Sequence, residues 1–127
     1  MESFKAKRKK PQIDGNFKEM GVTDLLDSII TGDMEGRCIH CGRYCVTHKH
    51  HIFGAANRKW SEKYGLFVHL CPEHHNMSRE GIHFNKDMMD RYHEIGQREF
   101  ERWYREKGFD AEHARHEFMR IFGRNYL

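Results

Sequence analysis

The chain has 127 residues, a mass of 15.3 kDa, a formal net charge of +3 and a pI of about 8.7. That length fits one domain plus a tail, and a hydrophobic content of 38% leaves a thin core that a loop-closing metal would reinforce. No apolar run approaches the roughly 18 residues of a membrane span, and the basic N-terminus lacks the apolar segment of a secretory signal.

Lys5, Lys7, Arg8, Lys9 and Lys10 form a basic cluster ahead of Pro11. Residues 1–12 are charged and aperiodic, so they read as a disordered tail. The cluster either contacts nucleic-acid phosphates, adding salt-dependent affinity, or merely solubilises the chain end. Asn16 to Thr31 carries Val22, Leu25, Leu26, Ile29 and Ile30 at helical spacing, which predicts a short helix closed by Gly32.

Between Cys38 and His83 lie all four cysteines and eight of the eleven histidines. Cys38-x2-Cys41 predicts a tight knuckle, with Gly42 relieving the backbone just after it. Tyr44 to Thr47 and His51 to Phe53 are short β-prone runs that suggest a hairpin. Gly54 to Gly65 is polar and aperiodic, hence a loop. Leu66 to Leu70 is the clearest strand. Pro72 suits a first helical turn, so a helix is predicted from Pro72 to Arg79 or Glu80, stopped by Gly81. Asn85 to Lys107 reads as a long helix with Met88, Met89, Tyr92, Ile95, Phe100, Trp103 and Tyr104 as its stripe, and Gly96 as a place for a kink. Asp110 caps a last helix, with Ala111, Ala114, Phe118, Ile121 and Phe122 inward and Gly123 at its end. From Lys86 onward nine Lys/Arg balance nine Asp/Glu. The fold class is α+β.

With no secretory signal, cysteines in this spacing read as metal ligands in a reducing compartment rather than disulfides. Cys38, Cys41, Cys71 and His74 make a four-ligand set suited to a closed structural zinc site. The 29 residues separating Cys41 from Cys71 exceed zinc-finger spacing and suit two knuckles clamping a hairpin to a helix. Cys45 is a spare thiol that could replace one ligand. His50, His51, His75 and His83 then remain. Neighbours on a helix diverge by about 100° and neighbours on a strand alternate. One member of each His pair can therefore meet the other across the strand–helix junction and hold a second ion with open positions. The leftover strand histidine can act as a base, because an imidazole titrates near neutral pH. A second structural zinc or a solvated cluster is the competing reading.

The order Cys38-x2-Cys41, His50-His51-Ile52 and Leu70-Cys71-Pro72-Glu73-His74-His75-Asn76 resembles the HNH nucleases of the ββα-metal type, over roughly Arg37 to Asn85. The ending Phe122 to Leu127 is similar to small HNH proteins of bacteriophages and prophages, some of which act in recombination. The resemblance implies a zinc-stapled, treble-clef-like ββα-metal core at 33–85, within a single domain at 13–127, followed by a helical extension at 86–127. It implies metal-dependent hydrolysis of DNA, with His51 as general base. His50 and His75 would be ligands of one catalytic divalent ion, Mg²⁺ or another; His83, after the helix ends, either returns as a third ligand or is structural. Arg79 stands where some members carry a second helical ligand, and would hold a phosphate instead, alongside Lys7, Arg8, Lys9 and Lys10. The family's middle asparagine is replaced by Leu66; either Asn57, in the loop, serves instead or the role is absent. A bacterial host cytoplasm and a recombination or packaging partner go with the same resemblance. The competing functions are a zinc-stabilised nucleic-acid-binding module without catalysis and a protein-interaction adaptor.

Overall fold

The structure is a computed structural model and describes residues 27–127. The basic cluster Lys7 to Lys10, the tail, and Val22, Leu25 and Leu26 lie outside the described residues. The fold is α+β. Its two strands are β1 (His48–His51) and β2 (Phe67–Leu70), paired antiparallel, with His48 opposite Leu70 and His51 opposite Phe67. The described helices are α1 (Arg58–Lys63), α2 (Pro72–His75), α3 (Lys86–Arg105) and α4 (Ala111–Phe122). Two 3-10 turns, Ala55–Asn57 and Ile82–Phe84, complete the set. No helix among the described residues is long and apolar enough to cross a membrane.

Two compact units divide these residues. The smaller takes 27–29 together with Phe53–Leu66. Here Ser61, fully buried, accepts from the Phe53 backbone N–H at 3.0 Å and donates back to the Phe53 carbonyl at 2.8 Å. The stretch expected as a plain loop therefore contains α1, which at six residues is too short to show a period. Residues 27–31 are not helical, against expectation: the Ile29 N–H donates to the Gly65 carbonyl, not to an earlier turn of its own segment.

The larger unit holds Ile30–Ile52 and Phe67–Leu127. The predicted hairpin between 44–47 and 51–53 does not form. Tyr44 instead bridges Arg37 within the cysteine knuckle, and β1 takes β2 as its partner. Alternation along β1 turns His48 and His50 to one face and Lys49 and His51 to the other.

α3 begins where predicted, because the Asn85 side chain accepts from the Met88 N–H at 3.0 Å. It runs unbroken through Gly96. Asp110 caps α4 through the His113 N–H, and Gly123, at φ 81°, closes it in the left-handed conformation. Phe100 of α3 meets Phe118 and Phe122 of α4 edge-on, with ring centroids 5.5 and 6.1 Å away. Fully burying such side chains stabilises by about 1.5–3 kcal/mol each. Ala111, expected inside, is exposed, and Ile121 is only half-buried.

Polar residues also enter this core. Gln97 is fully buried, donates from Nε2 to Glu101 and to Asn125, both at 2.8 Å, and accepts the Tyr126 N–H at 2.7 Å. Glu101 also receives Arg115 Nε at 2.6 Å. The chain's last residues are thus pinned along α3. Replacing Gln97 with Leu strips one donor from the buried Glu101 carboxylate and removes the Gln97 bond to the part-buried Tyr126 N–H. We expect a loss of about 1–3 kcal/mol, read as a lower thermal midpoint with metal content unchanged; an unchanged midpoint would refute the pinning role.

Candidate metal centres

The cysteine knuckle is built by short backbone bonds. Cys38 N–H donates to the Arg43 carbonyl at 2.9 Å, and Gly42 N–H to the Cys38 carbonyl at 2.8 Å. Gly42 has φ 82°, where a side chain would be strained. Ile39 N–H donates to the His69 carbonyl, which holds the knuckle beside β2, two residues from Cys71. Asp33 tightens this join. One carboxylate oxygen accepts the His69 backbone N–H and the other lies on His69 Nδ1, both at 2.7 Å.

Cys71 leads into α2 in extended conformation, and its carbonyl accepts from the N–H groups of His74 and His75. That first turn swings His74 back, so its Nδ1 lies 3.3 Å from Cys71 Sγ and 3.9 Å from Cys38 Sγ. Cys41 Sγ is 3.9 Å from Cys71 Sγ. A tetrahedral zinc with Zn–S near 2.3 Å and Zn–N near 2.0 Å sets its donors roughly 3.5–3.8 Å apart. Cys38, Cys41, Cys71 and His74 thus lie close enough together to bind a metal ion such as zinc. Cys45 stands outside this set, and all four cysteines are free of disulfides.

Electrostatics point the same way. Burial pushes the Cys38 thiol up, but hydrogen bonds from the backbone of Cys71, Cys41 and His40 overcome it and hold the thiol well below its usual range. Burial and the crowding of the Cys38 and Cys41 sulfurs push Cys71 the other way. Three sulfurs packed this closely cannot all ionise without a cation among them.

A second group forms on the β1 face turned toward α2. His50, His75 and His83 each offer a nitrogen, all within 4.8 Å of one another. His75 Nε2 is 3.1 Å from His83 Nε2, and the His50 ring sits 5.4 and 5.0 Å from theirs. Burial, reinforced by the neighbouring imidazoles, lowers His50 to about 3 and His75 to about 4. Both are thus neutral near pH 7, the form with a lone pair to give. Three imidazoles suit a borderline transition ion; Mg²⁺, which prefers oxygen, fits this set poorly.

His83 reaches the group because α2 is short. The helix expected to run to Arg79 or Glu80 stops at His75. Ser78 Oγ donates to the Glu73 carbonyl at 2.9 Å, and the chain turns back through Gly81. A Cβ on Gly81 would stand 2.7 Å from the His75 carbonyl oxygen, so only glycine allows this close return. Arg79 is accordingly exposed in the turn, not one helical turn above His75.

His51 is half-buried on the opposite face of β1, its ring 6.1 Å from that of Phe67, and it is not a member of the three-histidine group. Asn57 ends the 3-10 turn before α1, its side chain making no cap hydrogen bond, and Leu66 is fully buried. The sequence reading missed His48, Asp33 and His69. His48-Lys49-His50 carried a signal, since residues two apart share a strand face. The Asp33–His69 pair, 36 residues apart, carried none.

Comparison with protein-family models, curated proteins and solved structures finds no match for this chain.

Proposed function

We propose that this protein is a metal-dependent DNA endonuclease of the HNH, ββα-metal kind. The observation that carries the reading is a three-histidine group set apart from a complete Cys₃His group. A purely structural or binding module has use for the second set but not the first. The antiparallel pairing of β1 with β2, followed directly by α2, presents His50 and His75 to one another and supports this reading.

In this reading Cys38, Cys41, Cys71 and His74 hold a structural zinc that fixes α2 against the knuckle. His50, His75 and His83 hold a single transition ion. Such an ion, when bound, contacts the scissile phosphate and stabilises charge on the leaving 3′ oxygen. His51 takes the proton from the attacking water. Because His51 and His50 face opposite ways, the scissile phosphate must straddle the end of β1. Arg79, exposed beyond α2, and the basic cluster Lys7, Arg8, Lys9 and Lys10 supply phosphate contacts.

The test is plasmid cleavage in Mn²⁺, Co²⁺, Ni²⁺ and Mg²⁺ by the parent and by His75→Ala, with zinc content measured in both. We expect cutting by the parent in a transition ion, none by the variant, and equal zinc. DNA left intact by a zinc-loaded parent in every ion, yet bound in a salt-dependent way, would replace the nuclease with the binding module.

A further inference from the structure

Both ring nitrogens of His75 are engaged. Its Nε2 faces His83 in the three-histidine group, and its Nδ1 lies 3.0 Å from His48 Nδ1. The two rings meet edge-on, with centroids 5.1 Å apart and planes at 83°. His48 stands two residues before His50, on the same face of β1, yet outside the three-histidine group.

A neutral imidazole carries one ring proton, so at this separation one Nδ1 donates and the other accepts. Two arrangements exist. In the first, His48 donates; the His75 proton then sits on Nε2, and that nitrogen has no lone pair to offer. In the second, His75 donates from Nδ1, and its Nε2 lone pair faces His83 and His50, where an ion would be held. Only the second is compatible with a metal site.

We infer that His48 is a positioning residue, whose Nδ1 accepts the His75 Nδ1–H and so holds His75 in the tautomer and orientation that ligate through Nε2. The inference rests on reading His50, His75 and His83 as an ion site. Metal-bound histidines usually donate their outer N–H to a carboxylate, carbonyl or water, and losing that partner weakens metal binding about 10–100-fold. An imidazole fills the place here, with its own proton on Nε2. It comes from the same strand as His50, so β1 supplies both a ligand and the partner that orients a ligand from α2.

The experiment uses full-length protein with zinc in the cysteine set. Co²⁺ is titrated into it and followed by visible absorption, and ¹⁵N spectra of the histidines report the His75 tautomer before Co²⁺ is added. His48→Ala should bind Co²⁺ about 10–100-fold more weakly and shift His75 toward the Nε2-protonated tautomer, with zinc unchanged. His48→Asn, whose Oδ1 sits near the position of Nδ1 and only accepts there, should recover most of both. Parent-like Co²⁺ affinity and tautomer in His48→Ala overturn the proposal, as does His48→Asn behaving like the alanine. His75→Ala separates the two levels. If it abolishes Co²⁺ binding while His48→Ala does not, the positioning role alone fails; if it changes nothing, the ion site fails and the role with it. DNA cleavage enters neither readout.

Discussion

Cys71→Ser should purify without bound zinc and melt ~10 °C or more below the parent. Cys71 is 1% exposed, so the serine hydroxyl, a poor zinc ligand, sits where no water can compensate. Zinc-finger peptides draw roughly 10–16 kcal/mol from their metal, as much as the roughly 5–15 kcal/mol that stabilises a typical domain. The loss here is partial, because Phe100, Phe118 and Phe122 give α3 and α4 an apolar core that owes nothing to the site. Far-ultraviolet helicity should therefore survive in part while the zinc-dependent transition disappears. The damage also travels. α2 is only four residues long and starts at Cys71, whose carbonyl takes the N–H groups of His74 and His75. Without a metal on Cys71 and His74, so short a helix is left with weak ties such as the exposed Arg43–Glu73 ion pair, and the Co²⁺ affinity of the three-histidine group should fall with it. Atomic absorption, a melting curve and a Co²⁺ titration check all three; parent-like zinc and midpoint would remove the structural role of the cysteine set.

How far the fold was legible depends on the range of the determining contact. Asn85, Asp110 and Gly123 act on backbone within four residues, and the start of α3 and both ends of α4 followed from them. β1 was harder. Its partner β2 lies beyond a stretch of fourteen residues, Phe53–Leu66, and the β-prone runs nearby suggested a local hairpin that the knuckle displaced by bridging Tyr44 to Arg37. α2 was read too long because its stop is tertiary in character: the Ser78 hydroxyl on the Glu73 carbonyl and the close return of Gly81 leave no hydrophobic signature. Gln97 and Glu101 break the apolar stripe of α3, yet they are inside, because Arg115, Asn125 and Tyr126 satisfy them.

The candidate metal sites were more legible than the fold, since Cys-x2-Cys and Cys-x2-His encode a turn by spacing alone. Those two motifs named all four members of the cysteine set, and the His pairs pointed to His50 and His75. His83 came within reach only through the turn after α2. His48 was visible in principle, through its two-residue offset from His50. Asp33 and His69 were not, because their pairing depends on the knuckle lying along β2.

If the proposed nuclease reading holds, His51→Ala should cut DNA about 10²–10⁴-fold more slowly than the parent, the range a positioned base contributes. Zinc content, thermal midpoint and Co²⁺ affinity should stay as they were, since His51 belongs to neither group of candidate ligands. That combination would distinguish a base from a ligand: His75→Ala should lose the ion and the rate together, whereas His51→Ala should lose the rate alone. A fall in Co²⁺ affinity in His51→Ala would move His51 into the metal site. The face of β1 that carries His51 also offers a rival. The register sets Lys49 opposite His69, so His69 shares that face, with its Nδ1 2.7 Å from the buried Asp33 carboxylate. A carboxylate so placed fixes an imidazole's orientation and leaves its Nε2 to accept a proton. His69→Ala therefore belongs in the same assay. Slow cleavage there beside parent-like cleavage in His51→Ala would transfer the role of base to the Asp33–His69 pair, and the scissile phosphate would then lie across β2 rather than the end of β1.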